Sequence, residues 1–92
     1  MNSGVSKALR NLVAERDSYT CILCTNGYTD MHHFTPRSQG GRNSPYNLVA
    51  LCRQCHILAH EGSREERDEI EYRVAEYLGD FYAEDDEFYA SL

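Results

Sequence analysis

Residues 21–60 read CILCTNGYTDMHHFTPRSQGGRNSPYNLVALCRQCHILAH, and this stretch decides the fold. It opens on Cys21-x-x-Cys24 and ends just after Cys52-x-x-Cys55, with 27 residues between the two pairs. Two residues between cysteines let both sulfurs reach one ion while backbone amides point at them. Two such knuckles close a tetrahedral four-thiolate site with no open position, the structural kind of zinc site. A finger built from Cys21, Cys24, His56 and His60 is excluded. Its inner gap would be 31 residues, against the usual roughly 12–15, and it would strand Cys52 and Cys55.

Between the knuckles the chain alternates short apolar runs with turn chemistry. Asn26-Gly27 favours a positive-φ turn after the first pair. MHHF (31–34) reads as a short strand that Pro36 ends. PRSQGGRNSPYN (36–47) is a loop, and LVAL (48–51) is β-prone. The second cysteine pair then leads into a helix through about His60, with Gly62 closing it.

Outward from this core, residues 5–16 read as a helix with Val5, Leu9, Leu12 and Val13 on its apolar face and Ser3 or Ser6 as its cap. A second flanking helix starts at Ser63, where Ser63 and Glu66 form a capping box. Ile70, Val74, Tyr77 and Leu78 make its stripe, and it fades near Gly79. The expected architecture is α+β in a single domain of residues 1–92, with the core motif at 21–60 and an acidic C-terminal helix and tail at 61–92. No internal repeat or long linker divides the chain. A chain of 92 residues buries a modest core, and a structural metal can supply what such a core lacks.

The formal net charge of −6 is unevenly spread. Residues 1–60 carry six Lys and Arg against three acids, whereas residues 61–92 carry three against twelve. A mildly basic module is thus followed by an acidic extension, an asymmetry that points to nucleic-acid contact by the basic part. No run of 18 apolar residues exists to span a membrane, and the first residues do not read as a signal peptide. The expected location is the reducing cytoplasm, where paired C-x-x-C motifs favour metal over disulfides.

All four histidines fall in this core as two pairs. His56 and His60 are one helical turn apart and share a face, so both reach one ion. His32 and His33 are neighbours on a strand, where successive side chains diverge. A division of labour follows: one of these two completes a three-ligand site with open positions, the signature of a catalytic metal, and the other does acid–base chemistry.

At this point the residues resemble the HNH endonucleases of the ββα-metal (His-Me finger) superfamily. The resemblance is carried by His32-His33-x-x-Pro36-Arg37-Ser38-x-Gly40-Gly41, then Asn47-Leu48, then Leu51-Cys52-x-x-Cys55-His56-x-x-x-His60. It implies a small ββα-metal core with the four-cysteine zinc site, flanked by the two helices. It implies that His33 is the general base and that His32, His56 and His60 hold one divalent ion. It also implies that Asn47 is the central asparagine, tying the loop to the motif and orienting the base. The implied activity is hydrolysis of phosphodiester bonds in double-stranded DNA, leaving 5′-phosphates, with the motif helix against the minor groove and little sequence preference. Arg37, Arg42 and Arg53 are the expected phosphate contacts. Structural Zn2+ and one catalytic divalent ion are the expected cofactors; Mg2+, Mn2+, Zn2+ and Ni2+ are the candidates. A monomer would nick one strand and a homodimer would cut both. Small stand-alone members of the family are often phage-encoded.

Two other functions fit parts of the pattern: a non-catalytic zinc module that binds DNA or protein, and a fragment of a homing or repair nuclease. The acidic extension reads as a helix with a solvated face and then a loose tail. A sharper reading has Phe81, Tyr82, Phe88 and Tyr89 docking a protein partner or competing with DNA for the basic face.

Overall fold

The computed structural model describes residues 4–92. The elements are α1 (Lys7–Arg16), β1 (Asp30–His33), β2 (Leu48–Leu51), α2 (Arg53–Glu61), α3 (Arg64–Phe81) and α4 (Asp86–Ala90), with a single 3-10 turn at Arg37–Gln39. β1 and β2 form a two-stranded antiparallel sheet in which His32 stands opposite Val49 and His33 opposite Leu48. The class is α+β, and β1, β2 and α2 make the ββα unit.

β2 organises the interior because both of its faces are buried. Its side chains alternate between two layers, as the period of a strand dictates. Leu48 and Ala50 join Val13 of α1 and Met31 of β1 on one side. Val49 and Leu51 join Cys21, Ile70, Val74, Leu78 and Phe88 on the other. Ile70, Val74 and Leu78 recur every fourth residue, so α3 lays one stripe along the sheet and turns its acids outward.

α1 begins at Lys7, with the Ser6 hydroxyl accepting from the Leu9 amide; Ser3, the other expected cap, lies outside the described residues. Leu12 is 53% exposed rather than part of the stripe. The four-residue strand under α1 receives only the narrow line of Leu9 and Val13. The expected strand 31–34 is shifted one residue back, to Asp30–His33. Gly62 closes α2 in extended backbone at φ −71 rather than in a left-handed cap. What it supplies is room: a Cβ there would meet the Leu58 carbonyl oxygen at 2.6 Å.

The capping box at Ser63 and Glu66 is formed as expected. α3, however, does not fade at Gly79 but continues to Phe81. A mid-helix glycine costs about 1 kcal/mol, and packing beyond it offsets that cost. Tyr82 meets Tyr46 edge-on at 4.9 Å and stacks on Phe88 at 5.4 Å. The tail is therefore not loose. The Asp85 side chain caps α4 and accepts from the Tyr46 hydroxyl at 3.0 Å, and Phe88 is buried. Of the aromatic residues expected to reach outward, only Phe81 and Tyr89 are exposed.

A polar knot joins the two layers. Asp17 is buried and accepts from the Arg16 guanidinium at 2.6 and 2.9 Å, from the Ala50 amide at 2.9 Å and from the Tyr77 hydroxyl at 2.6 Å. Arg16 also donates to the carbonyls of Pro45 and Leu48 and to the Tyr82 hydroxyl. Burial alone would lower the Arg16 pKa, but its hydrogen bonds to Asp17 and Tyr82 more than reverse this and hold it raised.

Candidate metal centres and active-site cleft

The four cysteines converge from two turns, and their sulfurs lie within 4.8 Å of one another. The first turn is closed by a bridge between Thr20 and Gly27 and by the Cys21 amide donating to the Asn26 carbonyl. Its left-handed residue is Thr25, at φ 65, not Asn26 or Gly27 as the Asn-Gly pair suggests. The second turn is the start of α2, where Cys52 is the cap and its sulfur faces the Cys55 amide at 3.4 Å. Cys24 Sγ and Cys52 Sγ stand 3.6 Å apart. A tetrahedral zinc with Zn–S bonds of about 2.3 Å needs sulfurs about 3.8 Å apart, so the donor set fits the ion. Burial, then the sulfurs of Cys52 and Cys21, push the Cys55 thiol pKa up. Only a cation would let such a cluster carry its thiolate charge. The four cysteines are thus positioned to hold a metal ion.

His32 of β1 and His56 and His60 of α2 form a second cluster, each offering a nitrogen within 4.8 Å of the others. His56 Nε2 and His60 Nε2 are 3.1 Å apart. His32 is buried, and its Nδ1 has no hydrogen-bond partner among the described residues. An orphaned buried nitrogen costs free energy unless something accepts its lone pair, and a cation at the centre of three imidazoles would do so. Burial first, then the neighbouring His56 and His60, hold His32 neutral at a pKa of about 3. Burial and His56 lower His60 as well. Neutral imidazole is the form that ligates. This donor set also fits a divalent ion, with coordination positions left over.

Asp30, which the sequence reading left out, completes this arrangement. Its carboxylate takes His56 Nδ1 at 2.8 Å and a two-pronged contact from Arg53 at 2.9 and 3.0 Å. A carboxylate only accepts, so His56 Nδ1 carries the proton and Nε2 presents its lone pair to the cluster. Burial on its own would raise the Asp30 pKa, but Arg53 and His56 bring it down to about 2. The signal was available: Asp30 and His32 are two apart on a strand and therefore share a face.

His32 and His33 both line an open cleft of about 450 Å³, together with Pro36, Gln39, His60 and the first two turns of α3. One wall is the loop between the strands. Gly40 is left-handed at φ 88, and a Cβ on Gly41 would lie 1.7 Å from the Thr35 carbonyl oxygen, so the glycine pair is demanded by the backbone. Asn47 pins this loop: its side chain accepts from the Thr35 amide at 2.8 Å and donates to the carbonyls of Thr35 and Arg42 at 3.1 and 3.0 Å. The side chain that meets His33 is a different one, Asn43, whose Oδ1 lies 2.8 Å from His33 Nε2.

The three arginines expected on phosphate do not share one rim. Arg37 lies against Gly4, Arg42 lines a separate hollow with Tyr46 and Leu92, and Arg53 is held on Asp30 beside His56 and His60. The arginines on the cleft itself are Arg64 and Arg67 of α3, with Asp68 and Glu71 alongside. They follow the end of the histidine helix at Glu61 by three and six residues. Counting them with the acidic extension hid them.

The pattern is that of a known family. The family model described as HNH endonuclease matches residues 21–62. A protein named Anaredoxin, from a Nostoc species, is 36% identical over 58 residues, which are 61% of this chain and 71% of that protein. The chain belongs to the HNH endonuclease family. A second relative is the type IV methyl-directed restriction enzyme EcoKMcrA of Escherichia coli, 46% identical over 35 residues. That match covers 38% of this chain but 13% of the enzyme. Within the HNH match fall both clusters that could hold a metal ion, Asp30, His33, Asn43 and Asn47, whereas Arg64 and Arg67 lie just beyond it. No helix among the described residues is long and apolar enough to cross a membrane.

Proposed function

We propose that this HNH protein is a metal-dependent endonuclease that hydrolyses phosphodiester bonds of double-stranded DNA with little sequence preference and leaves 5′-phosphates. The observation that carries the reading is that His32, His56 and His60 bring three nitrogens together, and that two of the three, His32 and His60, line the cleft that His33 also lines. That the relative EcoKMcrA is a restriction enzyme supports DNA as the substrate.

In this reading Cys21, Cys24, Cys52 and Cys55 hold structural Zn2+, and His32, His56 and His60 hold the catalytic divalent ion. When bound, that ion stabilises charge on the phosphoryl oxygens and on the leaving 3′-oxygen. His33 takes the proton from the attacking water. Asn47 keeps the glycine loop beside it, Asp30 fixes the ring of His56, and Arg64 and Arg67 join Arg37, Arg42 and Arg53 as contacts for the DNA backbone. With one such site a monomer nicks, and a homodimer is needed to cut both strands.

The test is conversion of supercoiled plasmid to nicked circles, after chelation and with Mg2+ or Mn2+ returned, by the protein and by His33→Ala. Nicking should depend on the added ion and fall about a hundredfold in the variant, the loss expected for a general base. If neither protein cleaves while both keep their zinc and fold, the chain is a non-catalytic zinc module.

A further inference from the structure

Asn43 sits between two groups whose hydrogen-bonding roles are fixed. Its Nδ2 donates to the carbonyl oxygen of Gly4, and its Oδ1 faces Nε2 of His33 at 2.8 Å. The Gly4 carbonyl has no hydrogen to give, so the amide can face it only through nitrogen. That leaves the amide oxygen toward His33, and an amide oxygen only accepts. His33 Nε2 must therefore carry a hydrogen, and in the neutral ring the lone pair falls on Nδ1.

We propose that Asn43 is the positioning residue of the candidate base: it holds His33 as the Nε2–H tautomer and leaves Nδ1 as the nitrogen that takes the proton from water. The proposal rests on the reading of His33 as the base. The clamp spans three parts of the chain. Asn43 belongs to the loop pinned by Asn47, His33 ends β1, and Gly4 precedes α1. The two asparagines thus divide the work. Asn47 bonds backbone groups of Thr35 and Arg42 and holds the loop in shape. Asn43 transmits that shape to the ring. A free imidazole side chain exchanges between tautomers, and a base in the wrong one presents a hydrogen where a lone pair is needed.

The experiment uses the zinc-loaded protein without DNA, its histidine nitrogens observed by 15N NMR, with the His33 signals assigned from His33→Gln. Wild type should show a protonated Nε2 and a bare Nδ1. Asn43→Ala should show mixed tautomers, and Asn43→Asp, which keeps the acceptor, should restore the single form. On supercoiled plasmid, Asn43→Ala should lower kcat about tenfold, the scale of one lost hydrogen bond, with KM unchanged, and Asn43→Asp should recover most of it. A wild-type ring protonated at Nδ1, or an Asn43→Ala variant with undiminished kcat, overturns the proposal. If wild type shows the predicted tautomer yet cleaves nothing with any ion, the nuclease reading falls and Asn43 merely holds a ring. Zinc content and melting temperature of each variant separate these results from misfolding.

Discussion

The residue that ties the histidine cluster to its surroundings is Asp30. It is nearly buried, yet Arg53 and His56 keep it ionised, and its one carboxylate serves both. Asp30→Asn removes the anionic acceptor while keeping the shape. Affinity for Mn2+ or Zn2+ at the histidine cluster should then fall about ten- to a hundredfold, as for other lost partners of metal-bound histidines. Titration calorimetry checks this, and the four-cysteine site should keep its zinc. An unchanged affinity would mean that the ring of His56 is aimed by α2 alone. At this scale the sequence was uneven in what it let through. The cysteines and histidines announce themselves by type and spacing, because few other reasons place them so. Asp30 and Asn43 are common surface residue types, and their roles come from partners 26 and 10 residues away. Pairing of that kind becomes visible only once the strand and loop are folded.

At the scale of elements, the capped helices and the LVAL strand were legible because each carries its own local code: Ser6 before α1, Ser63 with Glu66 before α3, and an apolar run of four for β2. The end of α3 and the existence of α4 were not, because they depend on Tyr46, Tyr82 and Phe88 meeting across the molecule. Phe88→Ala should cost about 3 kcal/mol in urea unfolding, the scale for emptying a buried aromatic site; a cost below 1 kcal/mol would mean that α4 contributes little. Tyr77 tests the polar knot instead. Burial, then its hydrogen bond to Asp17, raises its pKa to about 12. A group with a raised folded pKa stabilises fully below its ordinary value, near 10 for tyrosine, and loses that contribution as pH climbs toward about 12. The neutral-pH stability advantage of wild type over Tyr77→Phe should therefore shrink between pH 10 and pH 12. A gap that stays constant would mean that the hydroxyl does not hold Asp17 in the folded state.

For the whole molecule, the sequence splits by charge into a basic motif and an acidic extension, but no linker marks them as separable halves. Nor are they separable in the fold, since α3 and Phe88 supply one of the two layers on β2. Deleting residues 80–92 to ask whether the tail competes with DNA would also remove Tyr82 and Phe88 from the interior. The four-cysteine cluster is equally shared. Cys21 and Cys24 precede the sheet, Cys52 and Cys55 follow it, and Cys21 belongs to the core under α3. Structural zinc in small peptides is worth about 10–16 kcal/mol of apparent folding energy. Stripping it with a strong chelator at neutral pH should collapse the circular dichroism signal in one cooperative step and restore it on adding Zn2+. Loss of cleavage with an intact spectrum would instead place the vulnerable ion at the histidines. The double covering of β2, by α1 on one face and by α3 on the other, has a practical corollary for protein engineering. The stretch that holds both candidate metal clusters is not a portable cassette. Transplanted without its flanks, residues 21–62 would arrive with Leu48 and Ala50 bare on one side and Val49 and Leu51 on the other. A host scaffold would have to furnish a roof and a floor before the cleft between them meant anything.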